Sequence, residues 1–188
     1  MSTLPKSFVT PAEYLELERK AEYKSEYYNG EIFPMPGVSR KHDRINICLI
    51  VLLQLHLKGT HCELFTGGMR VLVTPSGLYT YPDLSVVCGE PQFLDSEVDT
   101  LINPTLLIEV LSPTTEDYDR GRKAKMYRAM ASVQELLLVA QDSPGVELHR
   151  RQADGSWVLT EVNGLDASIQ LGSIGLTLRL SDIYPAEA

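Results

Sequence analysis

Apolar and polar positions repeat along this chain with two periods, and the switches between them mark the elements. Over residues 42–57, Ile45, Leu49, Leu52 and Leu53 share one helical face, and Ile47, Ile50 and Val51 widen it. So broad a stripe predicts a helix buried on most sides. Short apolar runs punctuated by Gly and Pro come next. They predict strands at about residues 63–66, 69–74, 81–88 and 105–111. A second helix is expected over about residues 116–131. Capping candidates lie in Ser112-Pro113-Thr114-Thr115, and its start is acidic at Glu116, Asp117 and Asp119. Residues 134–141 read as a strongly apolar strand.

Both ends add to this core. Thr10-Pro11-Ala12-Glu13 is a capping box with proline at the first helical position. It predicts a helix from Pro11 to the early twenties. Asn29-Gly30 between Tyr27-Tyr28 and Ile32-Phe33 signals a type I′ hairpin. Residues 146–150 and 157–162, joined through Asp154-Gly155, read as a second hairpin. Short strands at about 169–171 and 176–180 finish the chain. The order helix, three or four strands, helix, strand predicts an α/β fold. An N-terminal helix-hairpin and C-terminal β-hairpins are added to it. At 188 residues, one domain is expected over residues 1–188, with its core at about 42–141.

Composition narrows the class. Apolar residues make up 44% and charged residues 22%, which excludes wholesale disorder and a disulfide-dense mini-protein. The longest apolar run, residues 47–53, falls far short of the roughly 18 residues of a membrane span. No signal-peptide stretch opens the sequence, so a cytoplasmic protein is expected. Three Cys, at 48, 62 and 88, show no C-x-x-C spacing; Cys48 and Cys88 read as buried reduced thiols. The formal charge of −8 makes the chain a poor general binder of nucleic acid. Its basic residues nevertheless cluster, as Arg40, Lys41 and Arg44, and as Arg120, Arg122, Lys123, Lys125 and Arg128.

Three residues stand out chemically. Glu109 interrupts the apolar run Leu106-Leu107-Ile108-Glu109-Val110-Leu111, the pattern of a strand covered on both faces. An ionised carboxylate there needs a charged partner or a metal. The plainer reading is a strand-end Glu paired with an Arg. Asp83 opens another apolar strand after Pro82, where a simple turn residue is the alternative. On adjacent strands, two such carboxylates would form an oxygen-rich site for a hard cation such as Mg²⁺. Lys123 shares a helical face with Met126, Tyr127 and Met130, while Arg122 and Lys125 fall elsewhere. It would either compensate those carboxylates or snorkel along an apolar face. His42, after Arg40-Lys41, has a phosphate contact and a capping role as equal readings.

Pro82-Asp83, Glu109-Val110-Leu111-Ser112-Pro113 and Asp119-Arg120-Gly121-Arg122-Lys123 with Tyr127 together resemble the Uma-two family of restriction-endonuclease-like proteins, in the PD-(D/E)xK nuclease superfamily. Glu26-Tyr27-Tyr28-Asn29-Gly30-Glu31-Ile32, followed by Met35 and His42, is similar to its N-terminal signature. The similarity runs over roughly residues 10–185. It implies a restriction-endonuclease-like core of helix, three strands, helix and strand around a mixed sheet. It also implies metal binding by Asp83, Glu109 and the Val110 carbonyl, with Mg²⁺ or Mn²⁺ as the ion. The lysine expected two residues after the glutamate is Leu111 here, and the resemblance moves that role to Lys123. Glu26 matches an acidic position of the family, either a further ligand or a partner of Lys123; a solvated hairpin carboxylate is the plainer reading. The expected function is a metal-dependent endonuclease with nucleic acid as its partner, DNA ahead of RNA. A homodimer is compatible with this reading, and a membrane is not. The alternatives are an inactive nuclease-like interaction module and a small-substrate phosphohydrolase with a closed pocket.

Overall fold

The computed structural model describes residues 8–184. Thr10 caps α1 (Pro11–Glu18) with the expected reciprocal pair: its hydroxyl accepts the Glu13 N–H and the Glu13 carboxylate accepts the Thr10 N–H. The hairpin of β1 (Ser25–Tyr28) and β2 (Glu31–Pro34) turns on Asn29 and Gly30. Both have positive φ, 48° and 84°, as a type I′ turn requires. Ser39 caps α2 (Arg40–Leu57) by accepting the His42 N–H.

The strands β3 (Cys62–Thr66), β4 (Arg70–Val73), β5 (Leu78–Thr80), β6 (Leu84–Cys88), β7 (Thr100–Leu101) and β8 (Leu106–Leu111) follow. A crossover of α3 (Glu116–Tyr118), a π-helical segment (Asp119–Lys123) and α4 (Ala124–Ala129) leads to β9 (Glu135–Ala140). β10 (Gly145–Arg151), β11 (Trp157–Asn163), β12 (Ser168–Leu171), β13 (Leu176–Arg179) and α5 (Leu180–Ile183) complete the described chain.

The central sheet has the order β11-β10-β9-β8-β6-β3. β8 and β9 are parallel, joined by the helical crossover, and the other pairs are antiparallel. α2, β3, β6, β8, α4 and β9 therefore give the expected order of helix, three strands, helix and strand. A second sheet, β2-β1-β5-β4-β7, and the pair β12-β13 flank this core.

Every residue of β8 is buried, as its unbroken apolar run predicts. Leu106, Ile108 and Val110 join the cluster containing Ile45, Leu49 and Leu53 of α2. Leu107 and Leu111 join Ala124, Tyr127 and Met130 on the other face. Each fully buried Leu or Ile contributes about 1.5–3 kcal/mol, which holds the register. A slip by one residue would carry Glu109 to the α2 face and an apolar side chain into its place.

Four expectations need correction. The strand expected at 81–88 begins at Leu84, because Pro82 has no N–H to continue a ladder. β5, just before this break, belongs to the second sheet. The helix expected at 116–131 is interrupted by the π-helical segment, which contains Gly121, a weak helix former. α2 is not buried on most sides: Ile47, Val51 and Leu55 remain 52%, 51% and 70% exposed. Finally, Cys88 is not a reduced thiol. It is disulfide-bonded to Cys62, directly opposite it on β3, and the free Cys48 is only half-buried. β7 and α5 are too short to show a period in sequence. No helix among the described residues is long and apolar enough to cross a membrane.

Candidate active site

The sheet register brings Asp83 and Glu109 together. β6 and β8 pair antiparallel with Leu84 opposite Ile108. One further step sets Asp83, just before β6, across from Glu109. The bend at Pro82-Asp83 frees the Asp83 side chain to turn back on β8, where its Oδ2 accepts the Val110 N–H at 2.7 Å. Two α2 side chains reach the same carboxylate. His42 Nε2 is 3.1 Å from Oδ2, and Asn46 Nδ2 donates to Oδ1 at 3.1 Å.

Glu109 is held from the opposite layer. It is 5% exposed, and its Oε1 accepts the Tyr127 hydroxyl at 2.6 Å and faces Lys123 Nζ at 2.9 Å. Lys123, also 5% exposed, is the meeting point of three carboxylates. Besides Glu109 it pairs with Glu26 at 3.2 Å and with Asp119 at 3.4 Å. Glu26 arrives from β1 in the second sheet, and the Thr80 hydroxyl of β5 donates to it. Asp119 lies four residues before Lys123, across the π-helical segment. Leu111, two residues after Glu109, packs with Ala124 and Tyr127 of the helical crossover that carries Lys123. Arg122 and Lys125 are exposed, and Arg122 lies over the Tyr28 ring at 4.5 Å. The helical face predicted for Lys123 is the one observed.

Charge in this site is unbalanced. Burial pushes the Glu109 carboxyl up to about 7, and Asp83 and Asp119 push the same way against the Lys123 ammonium. Burial disfavours the Lys123 ammonium, but the surrounding carboxylates outweigh it and keep the amine protonated far above its ordinary range. Burial likewise opposes a charge on His42, and its bond to Asp83 overcomes this and raises its pKa. Glu26, Asp83, Glu109, Asp119, His42 and Lys123 line one cavity of about 470 Å³.

The structure thus brings together all four side chains singled out in the sequence, Glu26, Asp83, Glu109 and Lys123, with Val110 lining the same cavity. Sequence reasoning missed Asn46 as a partner of Asp83, and it placed Asp119 at a helix start and in the family-like segment without making it a partner of Lys123. The spacing of Asp119 and Lys123, four residues apart, was the available signal. The donor set suits a hard cation. Asp83 retains acceptor capacity on Oδ1, Glu109 Oε2 takes none of the hydrogen bonds described, and the ligand atoms are oxygens. Among the described residues, one trio of His, Cys, Asp or Glu has its ligand atoms all within 4.8 Å of one another: His61, Cys62 and Cys88, whose two sulfurs are bonded to each other.

A central mixed sheet between helices, with acidic side chains at the adjoining ends of β6 and β8, defines a restriction-endonuclease-like α/β fold. A crystal structure described as a "putative nuclease" of a domain family of unknown function, from Anabaena variabilis, superimposes with a TM-score of 0.75. It covers 94% of this chain and 97% of its own at 23% identity, and so supports the fold. Residues 11–181 match the Uma2 family, described as "Putative restriction endonuclease". The chain belongs to that family. Two uncharacterized proteins of Synechocystis sp. are related over most of their length. One, sll1609, is 38% identical over 86% of this chain and 92% of its own. The other, slr1290, is 35% identical over 94% and 91%.

Proposed function

We propose that this protein is a Mg²⁺- or Mn²⁺-dependent endonuclease that hydrolyses phosphodiester bonds, with DNA as the preferred substrate. The observation that carries the reading is the pairing of two half-sites in one cavity. One is the carboxylate pair Asp83 and Glu109 at adjoining strand ends. The other is the Lys123 ammonium, 2.9 Å from Glu109. Membership in a family described as a restriction endonuclease supports DNA over RNA.

Asp83, Glu109 and the Val110 carbonyl would hold the cation. When bound, it supplies charge neutralisation at the scissile phosphate and a more acidic water. Val110 N–H and Asn46 donate to the Asp83 carboxylate. Tyr127 and Lys123 orient Glu109. Glu26 and Asp119 keep Lys123 charged, so a fixed ammonium in the cavity would be available to a phosphate's growing negative charge. Exposed Arg40, Arg122 and Lys125 supply local positive charge on a chain of net charge −8.

A second reading has an observation of its own. Lys123 is engaged by three carboxylates, which is also what a purely structural ion cluster would show. The test is cleavage of plasmid, single-stranded DNA and RNA in Mg²⁺, Mn²⁺ or EDTA. Cleavage of DNA in either metal, abolished by EDTA, is expected. No cleavage of any substrate in either metal would favour the structural cluster and the interaction-module function.

A further inference from the structure

His42 belongs to none of the elements that carry Glu109, Lys123 or Glu26, yet it reaches the centre of the site. It sits in the first turn of α2, where Ser39 fixes its backbone through the His42 N–H. Its side chain is buried, and its Nε2 is 3.1 Å from Asp83 Oδ2. Its other ring nitrogen, Nδ1, faces the Asn46 amide nitrogen at 3.4 Å. Asn46 is one helical turn further along α2 and donates to Asp83 Oδ1 at 3.1 Å. A ring nitrogen that accepts from an amide leaves the proton on the other nitrogen. In the neutral ring Nε2 therefore carries the proton and donates to Asp83.

A carboxylate offers about four in-plane acceptor positions, two on each oxygen. On Asp83, the Val110 N–H and His42 occupy Oδ2, and Asn46 occupies one position of Oδ1. What remains open is a single position on Oδ1. Three donors from two elements, β8 and α2, thus fix the plane of the carboxylate and select one lone pair. Without His42, a second acceptor position would open on Oδ2, and the carboxylate would no longer present a single lone pair.

We infer that His42 is a positioning residue for cation binding: it locks the Asp83 carboxylate so that one Oδ1 lone pair is presented to a divalent ion. The inference rests on the metal-dependent reading above, and it adds a role that acts through Asp83 without the histidine touching the ion. It makes the N-terminal turn of α2 part of the site, although the site's charged ligands come from strands.

Two amide substitutions test it. The His42→Gln side chain places an N–H near the Nε2 position, and His42→Asn is one methylene too short to reach Asp83. Mn²⁺ affinity is measured by calorimetry on the full chain, with metal-free thermal melts in parallel. Loss of a partner that orients a metal ligand weakens binding about 10–100-fold, so His42→Asn should lose that much and His42→Gln should stay within about threefold of wild type. Melting temperatures of the two metal-free variants should agree. Unchanged affinity in His42→Asn, or an equal loss in both variants, overturns the inference while leaving the metal reading intact. Absence of Mn²⁺ binding by the wild type overturns both. Should either variant melt below the assay temperature, Mn²⁺ affinity is read at a lower temperature where both are folded, and the same outcomes decide.

Discussion

Lys123 Nζ lies 2.9 Å from Glu109 Oε1, and it gets there from the crossover helix rather than from the strand that carries the glutamate. On β8 the position two residues after Glu109 is Leu111, which packs against Ala124 and Tyr127. The ammonium therefore reaches the carboxylate from a different element. There it has two further partners, Glu26 from β1 and Asp119 from the π-helical segment.

Replacing Lys123 should therefore damage both stability and activity. Lys123→Met keeps the length of the side chain and leaves three buried or half-buried carboxylates without their cation. Removing one member of a buried pair costs about 3–5 kcal/mol. Chemical denaturation of the metal-free protein should show a loss of that order, together with loss of cleavage. A Lys123→Met protein as stable and as active as wild type would mean that the ammonium is dispensable.

Glu109→Gln should behave differently. The Glu109 carboxyl is raised to about 7 from an ordinary 4.5, so the folded state prefers it protonated. Its contribution to stability is fully present below pH 4.5 and is lost as pH rises through about 7. The wild type should lose stability relative to Glu109→Gln between those values, by at most about 1.4 kcal/mol per pH unit from this one group. Denaturation midpoints of both proteins across pH 4.5–8 check this. Parallel curves would show that Glu109 is not held up in the fold. Metal-dependent cleavage should be abolished in Glu109→Gln at every pH.

A buried carboxylate outside the site supplies the contrast. Glu135, 1% exposed, accepts from the backbone N–H groups of Gly172 and Ser173, from the Ser173 hydroxyl and from Arg150. It ties the β12–β13 end of the chain to β9. Glu135→Ala should cost about 2–3 kcal/mol by leaving those backbone donors unpaired. Cleavage measured well below the melting point should be unaffected. Loss of cleavage there would indicate that the site depends on the C-terminal hairpin.

The disulfide makes a separate prediction. Cys62 and Cys88 close a loop with a sequence separation of 26. Chain-entropy reasoning assigns about 3 kcal/mol to a cross-link over such a span. Cys62→Ser with Cys88→Ser should lower stability by about that amount, and a reducing agent should have the same effect on the wild type but none on the double variant.

Much of the fold and of the site is legible in the amino-acid sequence, for reasons that differ by element. β8 stands out because both of its faces are apolar, and Glu109 is conspicuous as the one exception. The helical phase of Lys123 survives the π-helical segment because Met126, Tyr127 and Met130 follow it within the next two turns. The split at Tyr81-Pro82-Asp83 is less visible, since the apolar pattern runs through it and only Pro82 marks the change of sheet. The Cys62–Cys88 bond depends on the β3–β6 register, which has no local signature. His42 and Asn46 share a helix, but nothing in their spacing reveals that Asp83, 37 residues beyond Asn46, lies against both. Long-range pairing of polar groups is set by topology, and the sequence pattern reports only local period.

The most direct test of metal-dependent cleavage is the rate at which purified protein nicks supercoiled plasmid in Mg²⁺, compared between wild type and Asp83→Asn. The asparagine retains the size of the side chain and one oxygen, which can still accept from the Val110 N–H. It removes the charge on which cation binding depends. Nicking by the wild type that stops in EDTA, with loss of nicking in a folded Asp83→Asn protein, is the predicted result. Equal nicking by both proteins, or none by the wild type in Mg²⁺ or Mn²⁺, would contradict it.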